Sequence, residues 1–306
     1  RLAIVPLVVT ALTRAAHAQE SVASGRQVSF TESRVEIFDA VGTVTLRRVT
    51  GNAVTVTATA QGADGGQLTF AADRESGQAR FRVVFPEVDA IASPGGRDMD
   101  GTSELNLRRD GTFGGDDGDH WRNRRRGDQV RVGGSRGFRG YADIEIGIPD
   151  GRDVTVHLAV GHASADGVNA TVLVDTWGAD AEATNIAGDW LFDTGSGDVT
   201  VRGARGILKI DTGSGSGTVT GMTGDLLDVD TGSGDVNVTN VQVDRFRFDT
   251  GSGDVIARDV TARRGVADTG SGSVSLTYAG GTIEDLLIAT GSGRVTLTLP
   301  PTPNVR

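Results

Sequence analysis

The residues that could do chemistry in this 306-residue chain fall on a fixed beat. Asp193, Asp211, Asp230, Asp249 and Asp268 each stand directly before a Thr-Gly-Ser-Gly tetrapeptide. Carboxylates repeated at one spacing could bind a hard cation such as calcium, or could accept hydrogen bonds from the N–H groups of a tight turn. Calcium-binding nonapeptide solenoids carry G-G-x-G-x-D-x-U-x at both turns of a coil. Here G-S-G-D stands at one turn only, with its Asp displaced by one position. Turn capping by these five aspartates is therefore the expected role, with no cofactor and with calcium as the alternative.

Other chemistry finds less support. His120, His157 and His162 are few, and the last two lack a zinc-ligand spacing. G-S-G-D is followed by no lysine and opens no helix, so it is not a phosphate loop. Trp121 with Arg122 to Arg126, and Arg136 to Tyr141, could hold an anionic polymer by charge and stacking. Asp116, Asp117, Asp119 and Asp128 offset much of that charge. No pair of carboxylates suited to acid and base work stands out, so an enzyme is not expected.

The elements that position these residues follow from the repeat. T-G-S-G begins at Thr194, Thr212, Thr231, Thr250, Thr269 and Thr290, with spacings of 18, 19, 19, 19 and 21. Weaker versions at Ala159 and Asp175 extend the register backwards. Such a period signals a solenoid whose units bury their faces by stacking. Within each unit two short stretches alternate in polarity, as in Val199/Val201 with Leu208/Ile210 or Val236/Val238 with Leu227/Val229. The expected fold is an all-β, right-handed parallel β-helix (β-solenoid) with coils of about 19 residues, handedness following from the crossover rule. Eight coils at one strand spacing each give a rod of roughly 35 to 40 Å. Gly217 stands where other coils have Val, and Met222 is the expected filler of the space. Lys209, Asp228 and Arg247 should alternate in sign along one outer column. Pro300, Pro301 and Pro303 should blunt the last edge.

If the valines point inward, their neighbours point out. The candidate binding face is Thr200, Arg202, Thr218, Thr220, Asn237, Thr239, Ser275, Thr277, Thr296 and Thr298, a hydroxyl-rich sheet suited to a repetitive ligand such as a glycan. Threonine is also simply a good exposed strand residue.

The apolar run Leu2 to Leu12 followed by Ala16-His17-Ala18 reads as a signal peptide cleaved after Ala18. It is too short to cross a bilayer, and no later segment is long enough. The chain has no cysteine and a net charge of −10, so nucleic acid is not an expected partner. The organisation read from sequence is a signal peptide at 1–18, an N-terminal β region of degenerate coils or a cap at 19–88, a Gly/Asp/Arg-rich flexible insertion at 89–140, solenoid repeats at 141–299 and a Pro-rich tail at 300–306.

The opening V-E-I-F-D-A-V-G-T-V-T-L, the middle Y-A-D-I-E-I-G-I-P-D-G-R-D-V-T-V and the repeated D-T-G-S-G-D-V resemble the bacterial β-strand-repeat family of adhesin-like domains of unknown function. The resemblance implies a β-helix-like fold in the envelope or outside the cell, and carries over no catalytic residues. The function expected is an exported, non-enzymatic adhesin or envelope scaffold in the periplasm, at the cell surface or outside the cell, contacting an envelope component, a glycan or another protein. A secreted carbohydrate-binding or carbohydrate-active β-helix is the alternative.

Overall fold

The computed structural model describes residues 19–93, 103–114 and 128–305. Residues 1–18, read above as a signal peptide, and His120, Trp121 and the Arg122 to Arg126 cluster lie outside the described residues.

The repeat is a parallel β-solenoid. Asp180–Thr194, Val199–Thr212, Gly217–Thr231 and Val236–Thr250 are continuous strands of 14 or 15 residues, each paired in parallel with the next, with one bulge where Gly206 pairs with Gly224 but Ile207 with Leu226. One coil was expected to hold two short strands and two turns. Only the T-G-S-G corner breaks the strand. At the opposite corner of these four the strand bends without ending, on a residue of left-handed conformation, Asn185, Gly203, Gly221 or Asn240; in the next coil the bend falls on Asp259 and the strand ends at Thr261, φ at all five lying between 54° and 75°. Gly, Asn and Asp tolerate that conformation best.

The inner columns are the expected ones. Val199, Val201, Leu208, Ile210, Val236, Val238, Leu227, Val229, Phe246 and Phe248 are all buried. Each contributes roughly 1.5–3 kcal/mol by leaving water. Size is balanced along a column. The Phe246 and Phe248 rings stack at 4.6 Å, and Gly265, paired with Phe246, leaves the room that the ring fills: a Cβ there would lie 2.1 Å from it. Gly217 follows the same rule. Its inward space is taken by Val229, 2.6 Å from where a Cβ would stand, and by Ile210. Met222, the expected filler, is instead buried in the column of Ala204 and Val241.

Below the repeats the chain takes a detour. Arg34–Arg48 is a complete coil that pairs in parallel with Asp153–Asp166, so residues 49–152 are inserted between two adjacent coils. Under it, Gln78–Val84 and Tyr141–Ile148 supply the two sides of one further layer. Antiparallel strands close the end: Val54–Gln61 lies against Tyr141–Ile148, and Thr69–Glu75 against Gln78–Val84. Glu20–Val22 and Gln27–Phe30 pair outside them.

The stretch expected to be a flexible insertion is ordered over its described part. Ala90–Ile91, Ser103–Leu107 and Asp128–Val132 form a three-stranded sheet. Ile91, Leu105, Phe113, Val130, Val132 and Phe138 are buried in the common core, which is the physical reason it holds a shape despite its composition.

Candidate binding face

The T-G-S-G corner is built around its threonine. Thr194, Thr212, Thr231, Thr250 and Thr269 are buried. Each Oγ1 accepts the N–H three residues on, at 2.9–3.1 Å. From Thr212 onward each hydroxyl also donates to a glycine carbonyl of the preceding coil; for Thr231, Thr250 and Thr269 the distance is 2.9 Å. Glycine is required here by close approach: a Cβ on Gly215 would stand 2.0 Å from the Gly197 carbonyl oxygen, and one on Gly234 2.1 Å from that of Gly215.

Turn capping therefore falls to residues other than the aspartates expected to do it. The carboxylates that accept corner N–H groups are Asp180, Asp198, Asp235 and Asp254, on the far side of the turn. Ser216 and Ser273 continue that ladder with hydroxyls. Asp193, Asp211, Asp230, Asp249 and Asp268 face outward in one register with Asp175. Burial, then the neighbouring Asp175 and Asp211, raises the Asp193 carboxyl above its usual range. Burial, then Asp230 and Asp228, does the same for Asp211, and Arg247 opposes it. Arg247 is the cation of this column, 2.8 Å from Asp230 and 2.7 Å from Asp249, with Asp228 at 3.5 Å. Lys209, Asp228 and Arg247 do follow one another in register. Among the described residues no three His, Asp or Glu side chains converge on a metal position.

At the N-terminal end of this column His157 Nδ1 lies 2.7 Å from Asp175. Its ring stacks on Phe38 at 4.4 Å, and Phe113 of the insertion packs edge-on against Phe38. His157 is thus buried, while Asp175 stays part-exposed. His162 stands apart, half-buried, in register with Thr43 and Asp180.

The candidate face lies on the other sheet. Thr200, Thr218, Asn237, Ile256, Ser275 and Thr296 form one outward column in register. Arg202, Thr220, Thr239 and Arg258 form a second, and Thr277 pairs with Thr298 beside it. All ten residues proposed from sequence are exposed or half-buried, and successive strands repeat at about 4.8 Å. One feature escaped the sequence reading: a groove of about 390 Å³ at the second corner, where Thr223, Gln242 and Thr261 lie beside Arg263. Arg263 is held there by Asp244 at 3.1 Å and Glu284 at 2.6 Å. Polar residues repeating at the coil period, Arg205, Thr223, Gln242 and Thr261, were the available signal.

Coil stacking, a closed N-terminal end and outward polar ladders define a β-solenoid repeat protein. Residues 123–306 match the family model described as Toastrack DUF4097, and the chain belongs to this family of domains of unknown function. The chain is also similar, at 9% identity and a TM-score of 0.30, to a crystal structure from Clostridium sporogenes ATCC 15579 described as a "putative cell adhesion protein"; the match covers 93% of this chain and 100% of that one. No curated protein matches. Among the described residues no helix is long and apolar enough to cross a membrane.

Proposed function

We propose that this chain is an exported, non-enzymatic solenoid that acts as an adhesin or envelope scaffold, holding a repetitive ligand on its Thr/Ser-rich face. The observation that carries this reading is the register of Thr200, Thr218, Asn237, Ser275 and Thr296. Hydroxyl and amide groups repeat there on a stiff sheet, so a polymer with its own period can be met at several points with little loss of side-chain freedom. The apolar run before Ala16-His17-Ala18 supports export. Replacing Thr218, Thr220, Thr239 and Thr277 with Lys tests the face. Binding to cell-envelope or glycan surfaces should be lost while the melting temperature stays nearly unchanged; binding that survives moves the site elsewhere.

The groove beside Arg263 favours a second reading, a secreted carbohydrate-binding protein. Thr223, Gln242 and Arg263 offer a hydroxyl, an amide and a guanidinium, groups suited to sugar hydroxyls. Gln242→Ala with Thr223→Val should then remove glycan binding that the lysine substitutions spare.

A further inference from the structure

The second corner of the repeat changes shape part-way along the rod. The spacing of 18 residues between Thr194 and Thr212 becomes 19 between Thr212 and Thr231, and the added residue is Asp225, at the bulge beside Gly224. Before the bulge, backbone fills the corner: Gly188 and Gly206 have positive φ, and a Cβ on Gly206 would stand 2.4 Å from the Gly188 carbonyl oxygen. After it, the same register position is held by Val243 and then Ala262, both buried and both outside the left-handed region. The place of Asp225 is kept in the following coils by Asp244, Arg263 and Glu284.

The groove beside Arg263 runs along this altered stretch. Gln242-Val243-Asp244 and Thr261-Ala262-Arg263 each cross it, so Asp244 and Arg263 make one wall, Thr223, Gln242 and Thr261 the other, and Gly224, Val243 and Ala262 the floor. The charges that line it are one carboxylate and one guanidinium, paired with each other at 3.1 Å, and Glu284 holds Arg263 from its other side at 2.6 Å. No free charge is left for an ionic ligand. Among the described residues the side chains of Thr223, Gln242 and Thr261 spend no hydrogen bond on the protein, so their hydroxyls and amide are open to a ligand. The backbone is committed: the Arg263 N–H donates to the Asp244 carbonyl at 3.1 Å and the Glu284 N–H to the Arg263 carbonyl at 2.8 Å. An extended peptide thus finds no strand edge to join here.

We propose that this groove binds an uncharged hexose chain lying along the rod axis. Its C–H faces rest on Val243 and Ala262, and its hydroxyl edges meet the polar side chains of both walls. From Thr223 to Thr282 the groove spans three coil steps, roughly 15 Å, which is about three linked hexose rings. Lack of charge, axial direction and length are thereby added to the carbohydrate-binding reading of this groove, on which they rest.

The test is calorimetric titration of the full chain with neutral oligomers of glucose, mannose, galactose and N-acetylglucosamine, from monosaccharide to hexasaccharide, beside galacturonate oligomers of the same lengths. Affinity for one neutral series should rise at least about tenfold from monosaccharide to trisaccharide, level off beyond it and stay unchanged by salt, with the galacturonates at least about tenfold weaker. Thr261→Arg places an unpaired guanidinium in the wall and should shift the preference toward galacturonate, with an unchanged melting temperature. Binding that is lost in Gln242→Ala with Thr223→Val, yet favours galacturonate or ignores chain length, overturns this proposal and leaves the carbohydrate-binding reading standing. Binding that survives that double substitution overturns both, as does a wild type that binds none of the oligomers.

Discussion

The hydroxyl of Thr231 donates to the carbonyl of Gly215 in the preceding coil, 2.9 Å away, while accepting the N–H of Gly234 in its own. One buried atom thus closes a corner and joins two coils. Thr231→Val keeps the shape and removes both bonds, leaving a buried donor and a buried acceptor unpaired. The expected loss is about 2–4 kcal/mol, two bonds at the usual cost of orphaned groups. Thr231→Ser should recover most of it. Urea denaturation of the pair decides the matter, since equal stability of the valine and serine forms would contradict a bonding role.

Gly217→Val is expected to destabilise. Its Cβ would meet Val229 at 2.6 Å, inside any tolerated contact, and overpacking of this kind costs roughly 1–3 kcal/mol. Val229→Ala should relieve the clash, so the double variant should be more stable than the sum of the singles allows. A double-mutant cycle with no coupling would place the side chains elsewhere.

Asp39 stands in the column of the corner threonines, fully buried, with Oδ1 accepting the N–H of Val41 at 3.2 Å. Burial holds its carboxyl well above the usual range; the Val41 bond opposes this and Asp143 adds to it. An acid raised in the fold keeps a proton that the unfolded chain gives up. Its stabilising effect is therefore complete below the unfolded-state carboxylate range, about pH 4, and is lost as pH rises toward the folded value. Asp39→Asn keeps the acceptor and cannot ionise. At neutral pH it should exceed wild type in stability, and in acid the two should converge. Thermal melts across pH would refute this if the gap were constant.

Arg247→Gln removes the cation between Asp228, Asp230 and Asp249. These pairs are half-exposed, so the loss should stay below about 1 kcal/mol and grow as salt is lowered. Asp211, already raised by burial and by Asp230 and Asp228, then loses the influence that opposes them. The variant should lose stability more steeply than wild type from acid to neutral pH. Carboxylate titration by NMR would show Asp211 moving up, and an unmoved Asp211 would count against the coupling.

Sequence showed the coil period and the inner columns plainly, because T-G-S-G recurs and because Val-x-Val and Leu-x-Ile alternate beside it. It also held the answer to which residue caps the corner. Ile210 and Thr212 are two apart in one strand, so both point inward, and Asp211 between them must point out. The second corner was hidden because Asn185, Gly203, Gly221, Asn240 and Asp259 share a conformation rather than a residue type. Met222 misled because nearness in sequence is not nearness in a coil, where Gly217 faces Val229 across the core. In the insertion, S-E-L-N-L and D-Q-V-R-V alternate over too few residues to stand out from the glycine, aspartate and arginine around them.

The corner threonines have a consequence for descent. Each coil receives a hydrogen bond from the next at the same carbonyl and gives one to the last through the same hydroxyl, so at this corner any middle coil sees neighbours that bond as it does. A tandem duplication or deletion of one whole unit leaves every surviving coil with the same corner bonds, provided the bulky and small residues of the inner columns still alternate. Length is thus a trait that such a lineage can alter in single steps, while the closed N-terminal end, built from antiparallel strands, is a part that recombination must leave in place.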